Sequence, residues 1–409
     1  MQVTSTDLEK PRSVLMMTSV FPRWEGDETP PFVLRQAEAV ASAGWRVTVL
    51  APHAKGAQRD ERIGDIEVIR FGYLWPAALQ GLFYDGGMLV QLRKHPHRKW
   101  QLPFFLMAQI LAARKLCAAK HFDVLHAHSL LPQGFTALYN GRLPVVATSH
   151  GNDVFGLKRG GLYDRLKRKV VREVAAVTAN SSVTEAALIE LGAPPERVHR
   201  VPATPNIAPS SQVEVARIRA EYPAGSKLVV FVGRLIEQKG VGDLIQAVAQ
   251  LRTADVHLLI IGDGADRSRF EQMASAAGLD KRVKFLGWQS RETLANYLEA
   301  ADVFAGPSKM GPRGSVEAQG LVFVEAMAAA APIVATRSGG IPDMIVDGET
   351  GLLTEPGEPK LLAGKIDRIL MDRDLARKLA DGALMRYRVI FSAETVTREI
   401  LNVYRSVLR

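Results

Sequence analysis

One alternation runs through this chain twice: a short apolar strand-like run, a loop, a stretch of helical periodicity, and a glycine that ends it. Ser13-Val-Leu-Met-Met-Thr-Ser reads as a first buried strand, followed by the loop Phe21-Pro-Arg-Trp-Glu-Gly-Asp-Glu-Thr-Pro-Pro. Residues 32–43 place apolar side chains at helical spacing and stop at Gly44, before a second strand, Arg46-Val-Thr-Val-Leu-Ala. A strand, a helix and a returning strand joined this tightly form a βαβ unit. Strands apolar on both faces belong in a parallel sheet covered by helices.

The pattern resumes with Phe122-Asp-Val-Leu-His126-Ala-His128, Val145-Val-Ala-Thr, Ala176-Val-Thr-Ala-Asn-Ser, a helix over 183–191 closed by Gly192, and Val198-His-Arg-Val-Pro. Residues 71–105, rich in aromatics, Gly and Pro, read either as a pocket wall or as a surface loop packed on its own side chains. Ala203-Thr-Pro-Asn-Ile-Ala-Pro-Ser-Ser has the composition of a linker. Beyond it the alternation restarts with Leu228-Val-Val-Phe-Val-Gly233, His257-Leu-Leu-Ile-Ile-Gly262, Val283-Lys-Phe-Leu-Gly287, Asp302-Val-Phe-Ala and Pro332-Ile-Val-Ala-Thr, with helices between them. A chain of 409 residues is too long for one ordinary core. The reading is an α/β protein of two doubly wound, Rossmann-like domains facing across a cleft, residues 1–205 and 206–392, with a terminal helix over 393–409.

Apolar residues at 47% and charged residues at 23% describe a globular chain and exclude a disordered one. The single cysteine, Cys117, excludes an internal disulfide and fits a reducing compartment. The polar N-terminus shows no signal peptide, and the longest apolar run, 102–113, falls short of the roughly 18 residues that cross a bilayer. The expected location is cytoplasmic, peripheral on the inner face of the cell membrane.

The charge is asymmetric: residues 1–205 hold 26 Lys and Arg against 18 Asp and Glu, nearly all of the +9 excess. Lys158, Arg159, Arg165, Lys167, Arg168, Lys169 and Arg172 form one cluster, and Arg93, Lys94, Arg98 and Lys99 another. Beside the apolar 102–113 run such clusters suit an anionic membrane surface or a polyphosphate-bearing acceptor; the alternative is a solvated basic helix. Nucleic acid is not expected as a partner, because aromatics do not alternate with the basic residues and no binding motif appears.

The chemistry concentrates in residues 307–330. A Gly/Pro-punctuated loop carries Glu317, passes Gly320 and becomes an Ala-rich helix bearing Glu325. A glycine that opens a helix leaves the first N–H groups uncovered, which suits a phosphate or a polar sugar edge. Two solvated glutamates on a buried helix are the competing reading. Upstream, Phe231-Val-Gly-Arg234-Leu-Ile-Glu-Gln-Lys239-Gly240 follows a strand with two cations, and Ser149-His150-Gly151-Asn152-Asp153 places His150 at a strand's carboxyl end. Alone, His150 reads as a hydrogen-bonded structural histidine. His126 and His128 point to one face of their strand, and no third ligand stands at a metal-site spacing.

Glu317 and Glu325, seven residues apart, with the Arg234/Lys239 and His150 segments in the same order, resemble the family 4 retaining glycosyltransferases and their E-x7-E motif. The resemblance runs from about residue 14 to 354. It implies the GT-B fold, with the terminal helix crossing back to brace the first domain. It also implies transfer of a hexose from a UDP- or GDP-sugar, with the nucleotide sugar as co-substrate and no cofactor or metal, to a glycan or lipid-linked acceptor. By that resemblance Arg234 and Lys239 hold the diphosphate, Glu317 meets the hexose, and His150 steadies the reacting geometry. Glu325 takes the ribose, and Gly320, Leu321, Val322 and Phe323 read the sugar and phosphates. Gly262, Asp263, Gly264 and Trp288 lie against the base, although Trp288 reads equally as a core or surface residue. Gly26, Asp27, His128 and Asp153 fall on the acceptor side. A nucleotide-sugar epimerase, a phosphorylase and a non-catalytic nucleotide-sugar-binding scaffold are the alternatives within the same fold.

Overall fold

The computed structural model describes residues 11–409 except 25, 26, 28, 30, 85, 86, 142, 156–159, 204–206, 312 and 313. The chain divides into two compact units. The first comprises residues 1–179, 185–204 and 397–409, and the second residues 180–184 and 205–396.

The first unit is built on eight strands: β1 (Ser13–Met17), β2 (Arg46–Pro52), β3 (Asp60–Ile63), β4 (Ile66–Phe71), β5 (Val124–His128), β6 (Val145–Ser149), β7 (Ala176–Ala179) and β8 (Val198–Arg200). Their order is β3-β4-β2-β1-β5-β6-β7-β8, parallel throughout except for β3 against β4. β1, β5, β6 and β7 are buried along their whole length, because helices cover both faces. The strand pair β3 and β4 escapes the sequence pattern. Its edge strand is charged, and β4 carries Arg70, whose buried guanidinium is held by Glu61 and the Pro22 carbonyl, both at 2.6 Å. Order reverses between β1 and β5, so the loops leaving these two strands open the crevice where ligands of such sheets gather.

Residues 71–105 fold onto their own side chains. Tyr73, Phe83 and Phe105 form one aromatic cluster with Phe71, while Arg98 bonds the Gly81 carbonyl and Gln101 the Leu79 carbonyl. The apolar run that follows proves longer than its sequence suggests. Helical structure continues from Pro96 to Ala119, 24 residues, long and apolar enough by length and composition to cross a membrane.

The second unit carries β9 (Lys227–Val232), β10 (Val256–Ile261), β11 (Val283–Gly287), β12 (Val303–Gly306), β13 (Ile333–Thr336) and β14 (Leu352–Thr354), all parallel, in the order β11-β10-β9-β12-β13-β14. Leu228, Val229, Val230, Leu258, Leu259 and Ile260 are fully buried, each contributing roughly 1.5–3 kcal/mol relative to exposure. Here the order reverses between β9 and β12, the two strands that lead into the Arg234/Lys239 loop and the Glu317 loop.

The terminal helix Ala393–Ser406 places its end in the first unit. Tyr404 is buried there against Trp45 and bonds His126 Nδ1 through its hydroxyl at 2.6 Å.

Candidate active site

Each unit carries candidate site residues at the carboxyl ends of its own strands. In the second unit, Gly233 follows β9, and Arg234 is exposed with no ion pair to a described residue. The loop from Arg234 to Gly240 is held on both sides. Leu235 N–H donates to the Asp263 carbonyl at 2.9 Å, Glu237 N–H to the Asp266 carboxylate at 2.7 Å, and Lys309 N–H to the Gln238 carbonyl at 2.8 Å. Gly240 takes φ +70, and a Cβ there would fall on the Pro307 carbonyl oxygen, so this approach of two loops requires glycine.

The approach brings Lys239 to Glu317. The two side chains form an ion pair, each largely shielded from solvent. Glu317 is fixed through its backbone as well: its carbonyl accepts from Gly340 N–H at 2.8 Å, and a Cβ on Gly339 would strike the same carbonyl. Three residues on, Gly320 at φ +78 opens the helix Leu321–Ala328. Phe323 N–H is spent on the Gly320 carbonyl at 3.0 Å, which removes it from the set of amides expected to face phosphate. The N–H groups of Leu321 and Val322 meet no acceptor among the described residues and carry the partial positive charge of the helix start.

Glu325 lies on the same helix, mostly buried, and burial pushes its carboxyl up to about 7 against a smaller opposing pull from Arg291. Both residues line a cavity of about 300 Å³ together with Ile207, Ser210, Leu294 and Glu299. Arg291 was not among the residues singled out from sequence. The local signal for it is Ser290, whose hydroxyl accepts from Thr293 N–H and starts a helix at Arg291, aiming that side chain from the first turn. The turns at Gly262 and Gly287 adjoin through Gly262 N–H to the Gly287 carbonyl at 2.8 Å, and Trp288 beside them is 69% exposed. The Asp263 carboxylate accepts from Gly264 N–H at 2.7 Å, tightening that turn.

The first unit offers rings instead of charges. His128 and His150 stack with centroids 5.7 Å apart at 7°, and Phe32 meets His150 edge-on at 4.8 Å. Burial lowers both histidines, His128 further through the neighbouring His126 and His150, so both are neutral at pH 7. Both nitrogens of His128 and Nε2 of His150 are buried without a partner. His126 is already satisfied by Tyr404 and by Thr148 Oγ1 at 2.7 Å, and burial lowers it to about 3.

Asp153 braces the two strand ends, accepting from Leu130 N–H at 2.8 Å and from the Ser149 hydroxyl at 2.9 Å. Asp27 is also turned inward. Burial opposes its ionisation, but bonds from Arg23 at 2.8 Å and from Thr29 N–H outweigh burial and hold it well below the usual carboxylate range. Gly26 lies outside the described residues, as do Lys158, Arg159, and 204–206 of the linker.

Among the described residues no three His, Cys, Asp or Glu side chains come together to hold a metal ion. The Asp-x-Asp triplet Asp372-Arg373-Asp374, of a type that holds metal elsewhere, serves a different end here: Asp372 caps a helix by accepting from Leu375 N–H at 2.9 Å.

Two family descriptions match the chain, "Glycosyl transferase 4-like domain" over residues 30–204 and "Glycosyl transferases group 1" over 214–384. The D-inositol 3-phosphate glycosyltransferase of Corynebacterium efficiens is 30% identical over 303 residues, 68% of this chain and 70% of that protein. N-acetyl-alpha-D-glucosaminyl L-malate synthase of Bacillus anthracis is 27% identical over 87% of this chain and 92% of its own. In fold, the chain is similar to sucrose-phosphate synthase of Thermosynechococcus elongatus, with TM-score 0.76, 24% identity and coverage of 97% and 99%. The Anabaena protein HepE in complex with UDP-glucose gives TM-score 0.70 at 22% identity, covering 96% and 99%. Two Rossmann-like domains of this kind make the GT-B fold. The chain belongs to the family 4, or group 1, glycosyltransferases.

Proposed function

We propose that the protein is a retaining hexosyltransferase that works without a metal, moving a sugar from a UDP- or GDP-sugar to a hydroxyl of a lipid-linked or cell-envelope glycan intermediate. The observation that carries this reading is the Lys239–Glu317 pair beside the uncovered start of the helix Leu321–Ala328, with Arg234 unpaired on the neighbouring strand end. Breaking a glycosidic phosphate bond leaves charge on a diphosphate, and catalysis requires that charge to be held more strongly in the transition state than before it. Arg234 supplies a planar fork for phosphate oxygens, and Lys239 a point charge. The amides of Leu321 and Val322 add fixed dipoles.

Glu317 then takes hydroxyls of the hexose, and Glu325 those of the ribose, in the cavity that Arg291 also lines. The neutral rings of His150 and His128 serve the acceptor side as hydrogen-bond partners. Configuration is retained by front-face substitution, in which the departing phosphate takes the proton of the acceptor hydroxyl. The relatives' names support the donor class: one is a GDP-mannose-dependent mannosyltransferase of Mycolicibacterium smegmatis, and HepE is seen with UDP-glucose. We place the enzyme in the cytoplasm, peripheral on the inner face of the membrane.

The test is a thermal-shift panel of nucleoside diphosphates and their sugars, followed by kinetics of Arg234→Ala with the stabilising donor. Loss of one preorganised charge contact lowers kcat/KM by about 10²–10³. Full activity in that variant removes the diphosphate site from the Arg234 loop and with it the proposal.

A further inference from the structure

The helical segment Pro96–Ala119 has two faces of opposite character. Phe105 and Ala113 are fully buried, and Gln109 accepts from the Thr136 hydroxyl at 2.8 Å, which pins that face to the first unit's core. The other face leaves large apolar side chains in solvent: Trp100 is 48% exposed, Phe104 54%, Met107 58% and Leu111 57%. At helical spacing these four fall within about 60° of one another, a single stripe about 17 Å long. Leu79, itself 48% exposed, is tied to the residue after Trp100, because the Gln101 amide donates to its carbonyl at 3.0 Å.

Exposed cations close both ends. Arg93, Lys94 and Lys99 lie before the stripe, Arg114 and Lys115 after it. An apolar stripe with aromatics near its rim and Lys/Arg at its ends matches the layered polarity of a bilayer surface with negative headgroups. The segment passes the length and composition test for spanning, yet its opposite face is tied to the core by Phe105 and Gln109, so it cannot leave the domain to cross a membrane. Lying in the plane of the interface satisfies both faces at once.

We propose that the stripe of Trp100, Phe104, Met107 and Leu111 is a membrane-docking face that seats the first unit in the headgroup–acyl boundary of an anionic bilayer. This deepens the peripheral location given above by naming the surface and the lipid charge it takes. It does not depend on which sugar is moved.

The experiment is flotation of the full chain with vesicles of phosphatidylcholine alone or with 30% (about one lipid in three) phosphatidylglycerol, for the unsubstituted protein and for Phe104→Ser/Met107→Ser/Leu111→Ser. Affinity by calorimetry for UDP or GDP, whichever the thermal-shift panel selects, serves as the folding control. The expected result is binding to the anionic vesicles that falls about tenfold or more in the triple variant, with affinity for that nucleotide unchanged. In a second variant, Arg93→Gln/Lys94→Gln/Lys99→Gln, the preference for phosphatidylglycerol is lost. Equal flotation of the triple variant and the unsubstituted protein overturns the proposal. So does a dimer in solution that the triple variant disperses while neither protein binds vesicles, which assigns the face to a second copy of the chain. Vesicle binding by a protein that takes up neither UDP nor GDP supports the docking face and overturns only the donor reading.

Discussion

The strand ends of the two units solve different problems with the same sheet architecture. At the switch point of the second unit, cations, the Glu317 carboxylate and a helix start are set by two loops that touch backbone to backbone. At that of the first unit, the two acidic side chains are locked inward, and what remains is a stack of neutral rings with unpartnered nitrogens. A site that must hold a diphosphate needs fixed charge. One that must receive a sugar hydroxyl needs acceptors whose own charge does not compete. On the function proposed above, the two units would divide the work between Coulombic and hydrogen-bonding chemistry.

The sharpest way to break this comparison is Glu325→Gln, because burial keeps this carboxyl of the charged half partly protonated. Its folded value, about 7, lies above the ordinary 4.5. Between these the folded state holds a proton the unfolded chain has released, so its contribution to stability is full below 4.5 and is lost as pH rises through 7. Gln does not ionise. The variant is expected to be more stable than the parent at pH 8 by up to about 3 kcal/mol and to differ little at pH 5, as measured by urea denaturation at both values. Equal stability at pH 8 means that the cavity solvates the carboxylate, and the contrast with the first unit's desolvated rings weakens.

Much of the charged half is legible in sequence because its signals are local. Gly233 after an apolar run, Gly320 before an Ala-rich one, and the spacing of Glu317 and Glu325 each lie within a single strand–loop–helix passage. What is not local was not legible. Lys239 meets Glu317 across 78 positions only because β9 and β12 are neighbours, and Arg291 reaches the Glu325 cavity from a different βα unit. The neutral half shows the converse difficulty. Asp27 and Asp153 sit in ligand-facing loops and read as contacts, yet Arg23 in one case and Ser149 with Leu130 in the other satisfy their oxygens from within. A carboxylate's neighbours in sequence do not reveal whether its lone pairs are already occupied.

A smaller effect separates the halves by function. His150→Ala is expected to lower turnover about tenfold while leaving UDP affinity unchanged, since on the proposed mechanism a neutral ring at the end of β6 positions the acceptor hydroxyl by hydrogen bonding and does not bind the diphosphate. Burial lowers His150 from its ordinary value against a smaller upward pull from Asp153, which favours the neutral ring. Steady-state kinetics beside calorimetry reads both quantities. A parallel loss of UDP affinity would place His150 in the charged half's work and remove the distinction.

The mildest change asks what holds the charged half in shape. Lys309 pairs with Glu237 at 2.5 Å and Asp243 at 3.2 Å, lacing the loop after β12 to the Lys239 turn and the helix behind it. These ion pairs are partly exposed, and such pairs contribute about 0–1 kcal/mol. The same two loops are also joined by the Lys309 N–H to Gln238 carbonyl bond and by the contact that Gly240 permits at Pro307, neither of which involves the ammonium. Lys309→Met is therefore expected to raise the KM for donor about threefold or less, with kcat and thermal midpoint nearly unchanged. A loss beyond tenfold would mean that side-chain charge, and not the glycine-permitted backbone approach, sets the distance between Lys239 and Glu317. Gly240→Ala would then be the milder of the two variants, the reverse of what a carbonyl oxygen in the path of its Cβ dictates.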